Sequence, residues 1–309
     1  MNDINSPLVI IRSLVYNHEP YLRQCLDGFV MQKTNFRFEV QIHDDASTDN
    51  SAAIILEYAE KYPDIIKPYI EEENQYSKGS KGKWKWGPLN CKYVALCEGD
   101  DYWIDPLKLQ KQVDFLESHP DYFLCCHDFK VFSEKSKEFI FDSSYQKHHK
   151  LPLTITLDNF FKGNWIQTLT IMYRNSTSSI AIPREKYKYY RDRVYHYYFL
   201  KNGKGCLLPD VMGVYRKHSG GVLSGKKAEE NYYIYMSIAL DIYHIENEPR
   251  ALQLLRRHAL GLFNYRWNHH QKKELIRDFR YLFAKAPFST TTGLLISFIG
   301  SMLKNKLSI

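Results

Sequence analysis

Tyr93-Val94-Ala95-Leu96-Cys97-Glu98-Gly99-Asp100-Asp101-Tyr102-Trp103 opens as an apolar run and turns at Glu98 into three carboxylates within four positions. Tyr93 to Cys97 has the composition of a strand buried on both faces, as in parallel sheets. Downstream, Leu109, Val113 and Leu116 recur on one side of a helix from about Leu107 to Ser118, with Pro120 beyond its end. The acidic loop Glu98–Asp101 thus follows the carboxyl end of a strand and precedes a helix, the position at which open α/β sheets bind ligands.

The same alternation extends outward. Leu8 to Val15 reads as a first strand, and Asn17 is placed to cap a helix with Pro20 in its first turn and Tyr21, Leu22, Cys25, Leu26, Phe29 and Val30 on one face. Phe38, Val40 and Ile42 alternate as a second strand that runs to His43. Asp44-Asp45-Ala46-Ser47-Thr48-Asp49 then leads into a helix with Ile54, Ile55, Tyr58 and Ala59 inward, its N-cap drawn from Ser47, Thr48 or Asp49. Ile65 to Ile70, Phe123 to Cys126 and Thr168 to Tyr173 read as further strands, Tyr187 to Tyr198 as a Tyr-rich helix, and Ala228 to Ala284 as helices. Strands spaced by helices imply right-handed crossovers and an α/β fold with a mostly parallel sheet.

With 309 residues, 44% hydrophobic and 25% charged, the chain can bury a sizeable core and is neither disordered nor a disulfide-stapled miniprotein. A net charge of +7 tolerates anionic partners without selecting one. Six cysteines with no C-x-x-C pair fit a reducing compartment, and the polar start Met1–Pro7 lacks an apolar signal core, so the expected location is cytoplasmic. Phe288 to Leu303 is the most apolar stretch, but Ser, Thr and Gly interrupt it; an amphipathic helix that packs on the protein or rests on a membrane face is what it supports.

Glu98, Asp100 and Asp101 would repel one another without a counter-ion, and a divalent cation removes that cost; hard oxygen ligands suit Mg²⁺ or Mn²⁺, which can hold a diphosphate. Asp44 and Asp45 offer acceptors for a base N–H or ribose hydroxyls. Between these loops, residues 74–90 carry Lys78, Lys81, Lys83 and Lys85 with Trp84 and Trp86, a basic aromatic loop for phosphate or an anionic acceptor.

In order and spacing, Val15-Tyr16-Asn17, His43-Asp44-Asp45-Ala46-Ser47-Thr48-Asp49 and Ala95 to Trp103 with Asp105-Pro106 resemble the inverting family 2 glycosyltransferases of the GT-A fold. The resemblance covers roughly residues 7 to 222. It implies a Rossmann-like GT-A catalytic domain over about 1–225, with a nucleotide-binding half to about 130 and an acceptor half after it, then a helical C-terminal region, 226–309. It further implies that Tyr16, Asp44 and Asp45 bind the nucleoside of a sugar nucleotide, a UDP-sugar being favoured. Asp100 would hold the metal and touch the nucleotide, and Glu98 and Asp101 would face the donor sugar. In the segment Val214-Tyr215-Arg216-Lys217-His218, Arg216 and His218 fall on the diphosphate, His218 also as a metal ligand. Reading back from it places the catalytic base at Asp192, where the family's Gly-Asp is Arg191-Asp192 here. Two departures stand out: Glu98 replaces the first Asp of the D-x-D motif, and Ala46 replaces a Gly, which a turn without positive φ tolerates.

The expected reaction is inverting transfer of a hexosyl or related sugar to a hydroxyl of a glycan or lipid-linked glycan in capsule or lipopolysaccharide synthesis. Peripheral contact of the C-terminal helices with the inner face of the membrane is part of that expectation, and nucleic acid is not. No Gln-x-x-Arg-Trp motif is present, which disfavours a processive synthase. Two rivals share the residues: a nucleotidyltransferase, which would release pyrophosphate, and a nucleic-acid-binding module built on the basic Trp84–Trp86 loop.

Overall fold

The computed structural model describes residues 6–79, 86–141, 153–163, 166–175, 182–221 and 227–307. Its elements run β1 (Val9–Val15), α1 (Glu19–Val30), β2 (Phe38–Asp44), α2 (Ser51–Lys61), β3 (Ile66–Ile70), β4 (Tyr93–Leu96), β5 (Tyr102–Trp103), α3 (Lys108–Ser118), β6 (Tyr122–Ser133), β7 (Glu138–Phe141), β8 (Leu153–Ile155), α4 (Leu157–Phe160), β9 (Met172–Arg174), α5 (Asp192–Lys201), β10 (Lys204–Lys217) and α6 to α9 (Ala228–Glu246, Ala251–Asn268, Lys272–Lys285 and Phe288–Leu307). They fall into two compact units.

The first unit, Met1–Thr156, Asn164–Ile182 and Tyr195–His218, holds one mixed sheet of order β3-β2-β1-β4-β9-β6-β10-β5, with β7 on β6 and β8 on β10. β3, β2, β1 and β4 are mutually parallel, and β6 and β10 form a second long parallel pair. β9 joins the two sets by pairing antiparallel with both β4 and β6. Val9, Ile11 and Val15 of β1 and Val40 and Ile42 of β2 are buried, and of the helix positions that the periodicity picks out, Leu22, Cys25, Leu26 and Phe29 of α1, Ile54, Ile55 and Tyr58 of α2 and Leu109, Val113 and Leu116 of α3 are buried, while Tyr21, Val30 and Ala59 are half-buried at the edges of their faces.

The second unit comprises Leu157–Gly163, Pro183–Val194 and Ser219–Ile309. Its helices α6 to α9 are centred on Phe263, whose ring lies 4.0 Å from Phe279 and 5.8 Å from Phe298. The unit takes in two segments upstream of residue 225 besides the expected C-terminal helices.

Two local expectations change, and two strands come without one. Thr168–Thr170 is a 3-10 turn and the strand is Met172–Arg174, because Gln167 accepts the Thr170 N–H and closes a turn first. The helix expected from Tyr187 begins at Asp192, after a 3-10 turn at Arg184–Lys186. β5 and the whole of β10 carry no strong period-2 pattern, since Gly205, Pro209 and Gly213 interrupt it and bulges break the pairing between Leu208 and Gly213.

Candidate active site

Parallel pairing of β1 with β2 aligns Val15 with Asp44, so the loops that leave both strands meet at one sheet edge. There Asn17 takes φ +55°, a left-handed conformation that Asn tolerates, and it is a loop staple instead of the expected helix cap. Its N–H donates to Ser47 Oγ at 2.8 Å and its Oδ1 accepts the Thr48 N–H at 2.8 Å. Asp44 is buried and accepts the Ser47 N–H at 2.9 Å. Asp45, also buried, accepts the backbone N–H groups of Gln75 and Tyr76 at 2.7 and 3.0 Å. Both carboxylates therefore shape the loop, with further lone pairs left for a ligand. Tyr16 stands at the same edge, about half exposed. Ala46 has φ +58°, so the turn keeps the left-handed geometry that Gly serves, contrary to the expectation of a turn without positive φ.

The acidic loop is bent against β1: the Gly99 N–H donates to Leu14 O at 2.9 Å, and the Asp101 N–H donates to Glu98 O at 3.1 Å. β5 then pairs antiparallel with β10, Tyr102 opposite Val214, which carries Arg216 and His218 to the loop. His218 Nε2 lies 2.9 Å from Asp100 Oδ2, and its ring centroid is 4.7 Å from that of Tyr21. From α1's N-cap, His18 Nε2 approaches the same oxygen at 3.8 Å.

Arg216, expected on the diphosphate, holds the loop instead. Its Nε donates to Asp100 O at 2.8 Å, NH1 to Glu134 at 2.5 Å and NH2 to Gln24 at 2.6 Å, while its guanidinium lies between the rings of Tyr21 and Tyr102, 4.9 Å from each. With each nitrogen engaged at one N–H and almost no exposure, this guanidinium is a brace of the loop in this structure. Asp101, expected at the donor sugar, is likewise buried, and its Oδ1 accepts the Arg216 backbone N–H at 2.8 Å. Glu98 is the exposed carboxylate of the three.

Electrostatics separate these groups. Burial, and then the adjacent charge of Asp100, push the Asp101 carboxyl well above its ordinary range. Burial also pushes Asp100 upward, but the His218 hydrogen bond and the two imidazoles outweigh it and leave that carboxyl below the usual value. Burial lowers the His18 imidazole despite the charge of Asp100. One oxygen from each of Glu98, Asp100 and Asp101 lies within 4.8 Å of the others. Asp100 Oδ1 is buried without a hydrogen-bond partner among the described residues. Hard oxygen donors, an imidazole at Asp100 and an orphaned carboxylate oxygen fit a divalent cation such as Mn²⁺ or Mg²⁺.

Asp192 opens α5 and belongs to the second unit, where its Oδ1 accepts the Arg193 N–H at 2.7 Å. Arg193 donates to the carbonyls of Phe160 and Gly163 at 2.6 and 3.0 Å, which fixes the start of the helix. In the basic loop, Lys81, Lys83, Lys85 and Trp84 lie outside the described residues. Lys78 pairs with Glu73, and Trp86 is half-buried, 5.1 Å from the His43 ring and 4.8 Å under Arg12. That tryptophan packs against side chains of β1 and β2.

His18, Gln24 and Glu134 are site residues that pattern reading misses. His18 is one residue past the Tyr16-Asn17 motif, which is a weak signal; Gln24 and Glu134 gave none.

The profile described as "Glycosyl transferase family 2" matches residues 13–173. Over 216 residues the chain is 38% identical to the uncharacterized protein Rv1520 of Mycobacterium tuberculosis, a stretch covering 69% of this chain and 59% of the relative, so it spans under two thirds of that protein. It is 26% identical over 236 residues to the putative teichuronic acid biosynthesis glycosyltransferase TuaG of Bacillus subtilis, covering 75% and 88%. Among solved structures, S. aureus TarS 1-349 with UDP-GlcNAc superposes with a TM-score of 0.60 at 19% identity over 91% of this chain and 82% of that one. The mannosyltransferase PcManGT from Pyrobaculum calidifontis, with GDP-Man and Mn²⁺, gives 0.51 at 13% over 98% and 83%. The sheet, the two acidic loops at its edge and the profile spanning both agree: this chain belongs to glycosyl transferase family 2.

Proposed function

We propose that the chain transfers a sugar, with inversion, from a nucleoside diphosphate-sugar to a hydroxyl of a glycan or lipid-linked glycan during synthesis of a bacterial surface polysaccharide. The observation that carries this reading is the convergence of Glu98, Asp100 and Asp101 with His218 at the sheet edge, one crossover from the Asp44–Asp45 loop. The surface-polysaccharide role is supported by the likeness to TuaG, and a UDP-sugar donor by TarS, which binds UDP-GlcNAc.

A divalent cation, when bound, neutralises the diphosphate and steadies it as a leaving group. Asp100 and His218 would hold that ion, and the exposed Glu98 would reach the donor sugar. Asp101, whose carboxyl burial and then the charge of Asp100 push well above its ordinary range, is turned to the Arg216 backbone N–H. Arg216 positions the loop by gripping Asp100 O and the Asp101 carboxylate. Asp44, Asp45 and Tyr16 would take the nucleoside. Asp192 would accept the acceptor's hydroxyl proton as its oxygen attacks the anomeric carbon from the face opposite the diphosphate. Peripheral contact of the C-terminal helices with the cytoplasmic face of the membrane belongs to the same reading.

The test is release of nucleoside diphosphate from a panel of sugar nucleotides with Mn²⁺, Mg²⁺ or EDTA. Expected is metal-dependent release from one donor, abolished by Asp100→Asn, with transfer reduced about 100-fold or more by Asp192→Asn. Release of pyrophosphate would assign the chain to nucleotidyl transfer and overturn the reading. With an acceptor in hand, NMR of the product's anomeric proton checks inversion.

A further inference from the structure

The second unit carries an apolar surface that the proposed chemistry does not use. Phe263, Phe279 and Phe298 turn inward, and the opposite sides of α8 and α9 are left outside. On α9, Phe288, Ile296 and Ile299 recur at helical spacing and are 75%, 71% and 46% exposed. On α8, Ile276 and Phe283 are 54% and 44% exposed. The rings of Phe283 and Phe288 lie 6.5 Å apart, so the two stripes join at the corner between the helices. Scattered exposed apolar residues are ordinary, but a joined stripe with a side chain three-quarters exposed is not.

Charge identifies what the stripe meets. Residues 269–307 contain seven Lys and Arg against two acids, Glu274 and Asp278. Asp278 is buried and ion-paired with Arg266 at 3.1 Å. Lys272, Lys273, Arg277, Arg280 and Lys285 are exposed along α8, and α9 has no acidic residue at all. Two copies of such a surface repel each other, whereas an anionic sheet of phosphates attracts it. No described helix is long and apolar enough to cross a membrane, so the stripe is not part of a described span.

We propose that the stripe from Ile276 and Phe283 through Phe288 to Ile296 and Ile299, rimmed by the α8 cations, docks on an anionic phospholipid bilayer. Phe288, Ile296 and Ile299 enter the boundary between headgroups and acyl chains, and the cations meet lipid phosphates. This rests on, and sharpens, the membrane contact in the functional reading above.

The full chain is sedimented with vesicles of phosphatidylcholine alone or mixed with phosphatidylglycerol, at low and high salt. Expected is pelleting with the anionic vesicles that weakens with salt, and none with phosphatidylcholine alone. Phe288→Ser and Gly293→Glu should each reduce the bound fraction's partition about tenfold. A Cβ at Gly293 meets nothing within 4 Å, so that variant adds charge to the stripe's border without a clash. Nucleoside diphosphate release in solution, measured on the same samples, reports the catalytic reading separately and should not change. No pelleting at low salt, or pelleting unaffected by both variants, overturns the proposal. So does a dimer on size exclusion that Phe288→Ser dissociates, which would assign the stripe to a second copy.

Discussion

Gly99 shows how narrow the tolerances of the acidic loop are. A Cβ there would stand 2.7 Å from Val15 Cγ2 and 2.9 Å from His18 Nδ1, with the Leu14 carbonyl at 3.3 Å, so β1 and α1 leave no room for one. Gly99→Ala should push the loop off β1, cost about 1–3 kcal/mol of stability and weaken Mn²⁺ binding, as read by urea unfolding and titration calorimetry. Ala46 presents the opposite case: at φ +58° the residue pays for its Cβ, and Ala46→Gly should stabilise by up to about 1 kcal/mol in the same unfolding assay. Lys108 is fully buried, its Nζ 2.7 Å from Gln112 Oε1 and 3.8 Å from the Trp103 ring, and burial lowers its pKa to about 7. The unfolded chain therefore binds more protons than the folded one between pH 7 and the ordinary lysine value, and this group's contribution to stability rises with pH across that window. Below pH 7 the full penalty for the buried charge applies. Buried thiols such as Cys126, raised by burial to about 12, act in the opposite sense above pH 9. The comparison with Lys108→Met is thus made from pH 6 to 8.5: the variant's stability relative to wild type should be highest at the acid end and fall as pH rises.

At the scale of elements, the N-termini of α1 and α2 cap each other. Asp49 accepts the Glu19 N–H at 3.0 Å and the Ser51 N–H at 2.9 Å; Glu19 in turn accepts the Asn50 N–H at 3.0 Å, and Ser51 Oγ accepts the His18 N–H at 2.9 Å. Helix N-termini leave backbone donors unpaired, and here one carboxylate satisfies a donor of each helix. Burial alone would raise Asp49, but its hydrogen bonds to Ser51 and Glu19 outweigh it and lower the pKa. The cap's contribution is then fully present above the unfolded value and is lost as pH falls through the folded one. Asp49→Ala should cost about 1–2 kcal/mol at pH 7, and the gap to wild type should close below about pH 4, as measured by thermal unfolding across pH. The sequence marks Asp49 as one of three candidate caps for α2, yet a reciprocal cap cannot be read locally, because its halves are about 30 positions apart.

For the molecule as a whole, an ion held at Asp100 binds the folded first unit and not the unfolded chain, so it should stabilise by about 2.7 kcal/mol at a hundredfold excess over its dissociation constant. Calorimetry with Mn²⁺ and then EDTA should show a reversible upward shift of the wild type and none for Asp100→Asn. Taken alone, the sequence determines the alternation of strands and helices in the first 120 residues, the inward faces of α1, α2 and α3, and the two acidic loops, because apolar periodicity and turn composition are local properties. It determines less where β10 is concerned: glycines, a proline and three register shifts hide the strand's period, and with it the register that brings Arg216 and His218 to the loop. Only the tertiary structure decided that Arg216 grips Asp100 from 116 positions away, that His18 and His218 converge on one carboxylate oxygen, and that Asp101 is buried. Those roles depend on which hydrogen-bond partners remain once strands are paired and side chains desolvated, and no local pattern of residue types encodes that outcome.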